Sequence, residues 1–528
     1  MELPTHVRRR RWTTVAGYGL FVALMVAGYY YNITFVQLGL IDLGTRLVGL
    51  SETAVSAWMA ALALVTLVVA VATGVTMDRR GWSTQLPTKL RLLFGVVCVQ
   101  FVLTLVAPSV RTVPAFGAWI VVASIGLGVG FPVSFSLAVD LVPVPDRGYV
   151  AAAITAIAYF LANAIPLSWS IDVFSRVMAV AMAPGILVLA VLAFAGVDRL
   201  DAILDDLGEQ SERFGVGRFC HGTPVRARSA AFLVPVVLMF GVFFIDSLGF
   251  LRIIDTPSLL LSSWQSPSLS TRLFIAVAHV VGAVMAGIIY ANYSLSRVFL
   301  WTFALFALTH VMYTSDLRFA ALFPAIAGDG TSPLNPALYA IAVSFYTTLN
   351  FALWPDLSTP ETVGTHSAIG IGVAGWLATF SSTALALYFQ AAELTLLSHL
   401  NVVQALSLLL LFGLGVGLYA RRMVELAREN GGCARVSPTE AIPLLVVVLL
   451  LVSIGGGDVG EMSITFEGET EADTLADVRV VAGGTTTVPS DATVEGDVYV
   501  IGGTAGRRRR RSHGDVQLRT SEHRSMVQ

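Results

Sequence analysis

One acidic residue stands alone among long apolar stretches, and it is the first place to look for chemistry. Asp246 is the only acid well inside such a stretch. A charge in lipid costs about 2.5–3.5 kcal/mol on insertion scales unless it faces protein or water. A buried carboxylate resists ionisation, so it can take up and release a proton. Proton coupling is one reading. Pairing with Arg252, or solvation near the outer side, is the other. Tyr30 and Asn32, Ser134, and Tyr346 with Asn350 also sit within apolar stretches. Their amides, hydroxyls and rings form the mixture typical of a small-molecule site, although interhelical hydrogen bonding uses the same groups.

A second set lies at the ends of the stretches. Gly74, Asp78, Arg79 and Gly81 form G-x-x-x-D-R-x-G, and Asp140, Arg147 and Gly148 form a second charged turn. Glycines allow tight turns and close helix approach. A carboxylate there can pair with a base or cap a helix. His279 and His310 read as packed side chains or proton relays. Cys98, Cys220 and Cys433 are scattered and odd in number, which argues against a disulfide framework or a metal site. Gly126, Gly128 and Gly130 lie within an apolar stretch and read as close packing. No nucleotide loop or catalytic triad is present in the sequence, so an enzyme and a cofactor are not expected.

The elements that must carry these residues follow from composition. Only 13% of residues are charged and 55% are hydrophobic, with a mean hydropathy of +0.75. A soluble chain would be roughly 25% charged. A membrane helix needs about 20 mostly apolar residues. Twelve stretches come near that length, six before and six after a charged loop at 198–228. They are 12–41, 53–77, 92–110, 112–139, 148–171, 177–197, 229–251, 273–296, 298–315, 330–355, 362–392 and 394–420. Helices satisfy their own backbone in lipid, and no ten-residue alternation suggests a barrel.

The fold class expected is therefore an all-α integral membrane protein with twelve transmembrane helices. The two halves echo one another. Asp140-Leu141 precedes Gly148 as Asp356-Leu357 precedes Gly364, at an offset of 216 residues, and Gly74 matches Gly287 at 213. Parallel six-span repeats are a known transporter plan. With the N-terminus inside, nineteen basic residues up to position 435 fall on the cytoplasmic side and six outside. A cleaved signal peptide is not expected.

These motifs resemble the major facilitator superfamily over residues 12–420. The resemblance rests on span count, the 6+6 repeat and the turns at 74–81 and 140–148. It implies that spans one, four, seven and ten line a central cavity, bringing Tyr30, Asn32, Ser134, Asp246, Tyr346 and Asn350 face to face. It also makes Gly74, Asp78, Arg79, Gly81, Asp140, Arg147 and Gly148 a conformational latch. The family signature continues with two basic residues, where this chain has Trp82 and Ser83. Its second copy, Gly287 to Asn292, has lost the acid.

The domains expected are 1–197, a linker at 198–228, 229–420, a connector at 421–440, a short apolar run at 441–457, a β-rich tail at 458–506 and a basic end at 507–528. The run at 441–457 reads as a thirteenth span, an interfacial segment or a displaced signal-type segment. In the tail, Asp477–Thr485 recurs as Asp497–Thr504. This resembles the polymer-forming, bactofilin-like β-solenoids, which need about three repeats for stability. The basic end reads as an anionic-lipid patch, a disordered end or a truncated solenoid. The resulting expectation is a secondary transporter of a small molecule, with proton coupling through Asp246, in the cytoplasmic membrane and without nucleic acid. The alternative is a non-transporting platform whose helices anchor a self-associating extracellular tail.

Overall fold

The computed structural model describes residues 12–32, 38–165, 170–194, 217–220, 225–254, 256, 259–260, 263–322 and 334–429, with short strands between 463 and 507. Most of the 198–228 linker, the 441–457 run and residues 508–528 lie outside the described residues.

Met1–Arg435 is one compact unit. Among the described residues its longer helices are α1 (Trp12–Tyr31), α2 (Glu52–Arg79), α3 (Leu86–Val106), α4 (Val113–Leu141), α5 (Arg147–Ala164) and α6 (Ile171–Phe194), with a short helical stretch at Leu38–Asp42 after α1. After the linker come α7 (Ala230–Ile254), α8 (Leu269–Asn292), α9 (Leu295–Leu322), α10 (Leu334–Asp356), α11 (Val363–Ala391) and α12 (Leu396–Glu429). Ten of them are long and apolar enough to cross a membrane, and α1 and α5 are not among the ten. The unit is therefore that of a multi-pass membrane protein.

The ends of these helices follow ordinary capping chemistry. Ser51 accepts the Ala54 amide at 3.3 Å to start α2, and Thr112 accepts that of Ala115 at 3.4 Å to start α4. Pro114 sits in the first turn of α4, where no amide is lost. The helix α12 runs past Ala420, where the sequence suggested its end, to Glu429.

Burial sorts the helices into central and peripheral. The most apolar window of α10 is 89% buried and that of α4 is 72%, against 17% for α6 and 28% for α12. Large apolar side chains on α6 stay open, Val180 at 76% and Leu187 at 69%. A helix buried all round belongs to the centre of a bundle, and one with such a bare face belongs against lipid. The first six helices meet the last six chiefly where α5 packs on α8 and α2 on α11. Within α11 the stretch Gly370–Leu377 is π-helical. A Cβ on Gly370 would lie 2.2 Å from the Trp354 ring, so the wider turn and the bare glycine together admit that indole.

Val436–Gln528 is a second unit. Its strands pair in parallel: β1 (Ser463–Phe466), β4 (Arg479–Ala482) and β7 (Val498–Ile501) form one sheet. A second holds β2 (Thr470–Glu471), β5 (Thr485–Val488) and β8 (Thr504–Arg507), and a third holds β3 (Leu475–Ala476) and β6 (Val494–Glu495). Thr485 and Thr504, which follow the repeated Gly-Gly pairs in the sequence, lie opposite one another.

Candidate functional site

At the bundle end that bears the turns after α2, α4, α8 and α10, two pairs of glycines bring backbones together. A Cβ on Gly74 of α2 would stand 2.4 Å from the Gly364 carbonyl oxygen of α11. A Cβ on Gly287 of α8 would stand 2.8 Å from the Gly148 carbonyl oxygen of α5. Contacts this close exclude any larger residue and let each helix pair meet without a gap.

Asp78 seals the first pair. Its carboxylate accepts the amides of Gly364 at 3.0 Å and Thr365 at 2.8 Å, in the first turn of α11. Those amides are orphan donors of the helix start, and a negative charge there meets the positive end of the helix dipole. Ser83 donates to the same carboxylate at 2.5 Å. It stands where the resembled signature has a basic residue. Arg79 is exposed at the helix end, and Gly81 turns the chain with φ +70.

Behind Ser83 lies a residue that the sequence presents only as one more base on the cytoplasmic side. Lys89 is in α3, wholly buried, and pairs with Asp140 of α4. Its ammonium also donates to the Ser83 carbonyl at 2.7 Å. The cation thus links the α4 carboxylate to the turn that holds Asp78. A buried charge with no partner would be costly, and here each supplies the other.

The second pair of glycines has its own buried ion pair. Arg147, at the start of α5, donates to Asp356 at 2.8 Å and to the Pro355 carbonyl at 3.1 Å. Both side chains are at most 2% exposed. Tyr290 of α8 donates to the other Asp356 oxygen at 2.7 Å. Gly287–Asn292 carries no acid, and here the Tyr290 phenol lies against a carboxylate from α10. The short segment 217–220 docks here too. Gly217 donates to the Ser358 carbonyl and Phe219 to that of Asp356, each at 3.0 Å. Arg218 donates to the carbonyls of Tyr290 and Tyr293 at the end of α8. Burial pushes the Cys220 thiol pKa up. A cavity of about 260 Å³ lies between Arg218, Tyr290 and the turn at Val144–Gly148.

Toward the middle of the bundle the meeting surface is aromatic. Tyr29 of α1 and Tyr159 of α5 share a hydrogen bond at 2.8 Å, and Thr347 of α10 lies 3.3 Å from the Tyr159 hydroxyl. The Tyr159 ring stacks on His279 with centroids 4.3 Å apart, and His279 in turn bonds Ser344 at 2.9 Å. Phe135 stacks on Phe351 at 5.7 Å, and Phe131 meets Trp376 at 4.9 Å. These rings fill the seam between the first and last six helices.

Asp246 of α7 is 8% exposed. Tyr339 and Tyr346 of α10 each donate a hydroxyl to one of its oxygens. Arg252 turns instead to the Leu394 carbonyl at 3.1 Å. Of the cavity residues named from the sequence, Asp246 and Tyr346 are therefore brought together. The Asn350 side-chain Oδ1 accepts the Trp354 indole N–H at 2.8 Å within the same helix. Ser134 bonds back to the Gly130 carbonyl at 2.8 Å. The Asn32 side-chain oxygen is buried with no partner among the described residues. Tyr30 is half-buried, and its neighbour Tyr29 is the tyrosine that reaches the seam. Among the described residues no group of His, Cys, Asp and Glu is arranged to hold a metal.

No family model matches the sequence, and no curated protein matches it. Solved structures do. One is the major facilitator superfamily proton:xylose symporter XylE bound to 6-bromo-6-deoxy-D-glucose, with a TM-score of 0.51 and 15% identity over 75% of this chain and 94% of that one. Another is the partially occluded inward-open xylose transporter XylE from E. coli, with a TM-score of 0.51 and 15% identity over 75% and 96%. The expected likeness of the tail to bactofilin-like solenoids gains no support from these matches. At this identity the likeness shows the fold alone, one shared with these solved transporters.

Proposed function

We propose that the chain is a secondary active transporter that moves a small molecule by alternating access. Twelve spans in two duplicated six-helix halves rock about the aromatic seam. The N-terminus is cytoplasmic, and the turns after α2, α4, α8 and α10 form the inner gate in its closed state. The observation that carries the reading is the cross-pairing of repeat-related glycines, Gly74 with Gly364 and Gly148 with Gly287. Each pair joins one half to the other, and equivalent positions do the joining twice. A closed gate built symmetrically from two copies is what a rocking mechanism needs.

The latch consists of Gly74, Asp78, Arg79, Gly81, Asp140, Arg147 and Gly148. Asp78 holds α11, Arg147 holds Asp356, and Lys89 fastens Asp140 behind the turn. Tyr30, Asn32, Ser134, Asp246, Tyr346 and Asn350 belong to the substrate pathway, and Asp246 carries the coupling proton. Proteoliposome uptake across a solute panel, with and without a pH gradient, tests this. Accumulation driven by the gradient and abolished by Asp246→Asn is the expected result. Solute movement indifferent to both removes the coupling, and no movement of any solute removes the transporter.

The parallel register of Ser463, Arg479 and Val498 favours a second reading. In it the helices anchor a tail that stacks on other copies outside the cell. Deletion of 436–528 with full retention of uptake would leave the tail no part in transport.

A further inference from the structure

The surroundings of Asp246 define the charge of what this site can hold. Its two oxygens take hydroxyls from Tyr339 and Tyr346, and no Lys or Arg among the described residues acts on it. Arg252, on the same helix, donates through Nη2 to the Leu394 carbonyl. Among the described residues the site is thus a single carboxylate held by two phenols, with no ion pair to a basic side chain.

The walls are rings. Tyr346 meets Phe243 edge-on at 4.8 Å, and Tyr339 meets Trp264 edge-on at 5.5 Å. Phe250 stacks on Tyr339 at 6.0 Å, and His310 stands edge-on to it at 6.0 Å. Phe243, like Asp246, keeps 8% of its surface open. Aromatic faces carry the negative side of the ring quadrupole and attract cations, most strongly where water is excluded. A carboxylate supplies the opposite charge. Neutral polyols need several donors and acceptors in reach, whereas both tyrosine hydroxyls here are already committed to the acid.

We infer that the Asp246 site binds an organic cation, whose positive group meets the carboxylate and whose apolar substituents lie against the rings of Tyr339, Tyr346, Phe243 and Trp264. The inference rests on the transporter reading and specifies its substrate class. The same carboxylate then serves the proton and the cation in turn, so binding of one releases the other and the two exchange across the membrane.

Thermal unfolding of the purified full-length protein tests this with three probes. Tetraphenylphosphonium is the cation, tetraphenylborate has the same shape and the opposite charge, and D-xylose is a neutral polyol. The phosphonium is expected to raise the unfolding midpoint in a saturable way, and the other two are not. Asp246→Asn should raise the half-saturating phosphonium concentration about tenfold or more. Stabilisation by xylose alone, or equal stabilisation by phosphonium and borate, would overturn the inference. So would phosphonium binding undiminished in the variant. Should Asp246→Asn not fold, the phosphonium-to-borate contrast on the unaltered protein still decides. Phosphonium binding without flux of any probe in proteoliposomes would remove the transporter reading and leave this site. Flux of a neutral solute that phosphonium does not inhibit would do the reverse.

Discussion

Asp78 caps the first turn of α11 by accepting the amide of Gly364, the residue whose backbone touches Gly74 one turn earlier in α2. One short motif thus supplies both the close approach and the charge that holds it. N-terminal caps are worth about 0.5–2 kcal/mol. Asp78→Ala should therefore favour opening of the inner gate by roughly two- to thirtyfold. Alkylation of a cysteine placed at Ala368, whose Cβ lies beside Gly74, measures this. Faster labelling is expected in the Asp78→Ala background.

Bulk at the glycine contacts should act in the same direction. A Cβ on Gly148 would lie 2.8 Å from the Tyr290 ring and 3.1 Å from the Gly287 carbonyl oxygen. Overpacking of this kind costs about 1–3 kcal/mol. Gly148→Ala and Gly74→Ala should each lower the thermal midpoint of the purified protein, while Gly95→Ala, where a Cβ meets nothing within 4 Å, should not.

The Arg147–Asp356 pair should show strong coupling. Removing one partner of a buried pair leaves an uncompensated charge and costs about 3–5 kcal/mol. Arg147→Met alone should be more destabilising than Arg147→Met with Asp356→Leu. Chemical unfolding of the two single variants and the double variant provides the cycle.

The Lys89–Asp140 pair makes a parallel prediction, and it also marks where sequence reasoning stops. Lys89→Met should destabilise, and Asp140→Leu should partly restore the midpoint. Asp140 and Asp356 were legible because their spacing to a following glycine repeats. Lys89 was not, because a lone base next to Arg91 at a helix start reads as an inside-facing charge. Its burial depends on α4 folding back over the turn. Tyr29 and Tyr30 show the same limit in another form. A helix apolar all round carries no phase, so three consecutive tyrosines give no hint of which one faces the seam. The Gly370–Leu377 π-turn and the docking of Gly217 are set by Trp354 and by the Asp356 carbonyl, both distant in sequence. The apolar stretches themselves were plain, since lipid demands them of any helix that crosses it.

A pH effect is expected outside the apolar core. Asp42 lies in a short helical stretch after α1, and Arg46 bridges it to Asp172 at 2.8 and 2.7 Å. Partial burial works to raise the Asp42 pKa, but hydrogen bonds from Arg46 and the Ile171 amide outweigh it and leave the pKa below the usual carboxylate value. A depressed pKa contributes stability above the unfolded-state value, near 3.9, and that contribution is lost as pH falls through the folded value. Asp42→Asn should therefore lower the thermal midpoint at pH 7, and the difference should shrink as pH falls below the unfolded-state value and through the folded one. The effect is small, because the pair is solvent-screened.

Rocking of the two halves is tested most directly by a distance across the inner gate. Spin labels at Thr84 and Glu361, both exposed, would sit on the turns after α2 and α10. The three native cysteines are first replaced. Double electron–electron resonance in nanodiscs is expected to show two populations, with Asp78→Ala moving weight from the shorter to the longer distance. A single distance that neither Asp78→Ala nor a change of pH alters would contradict alternating access in this protein.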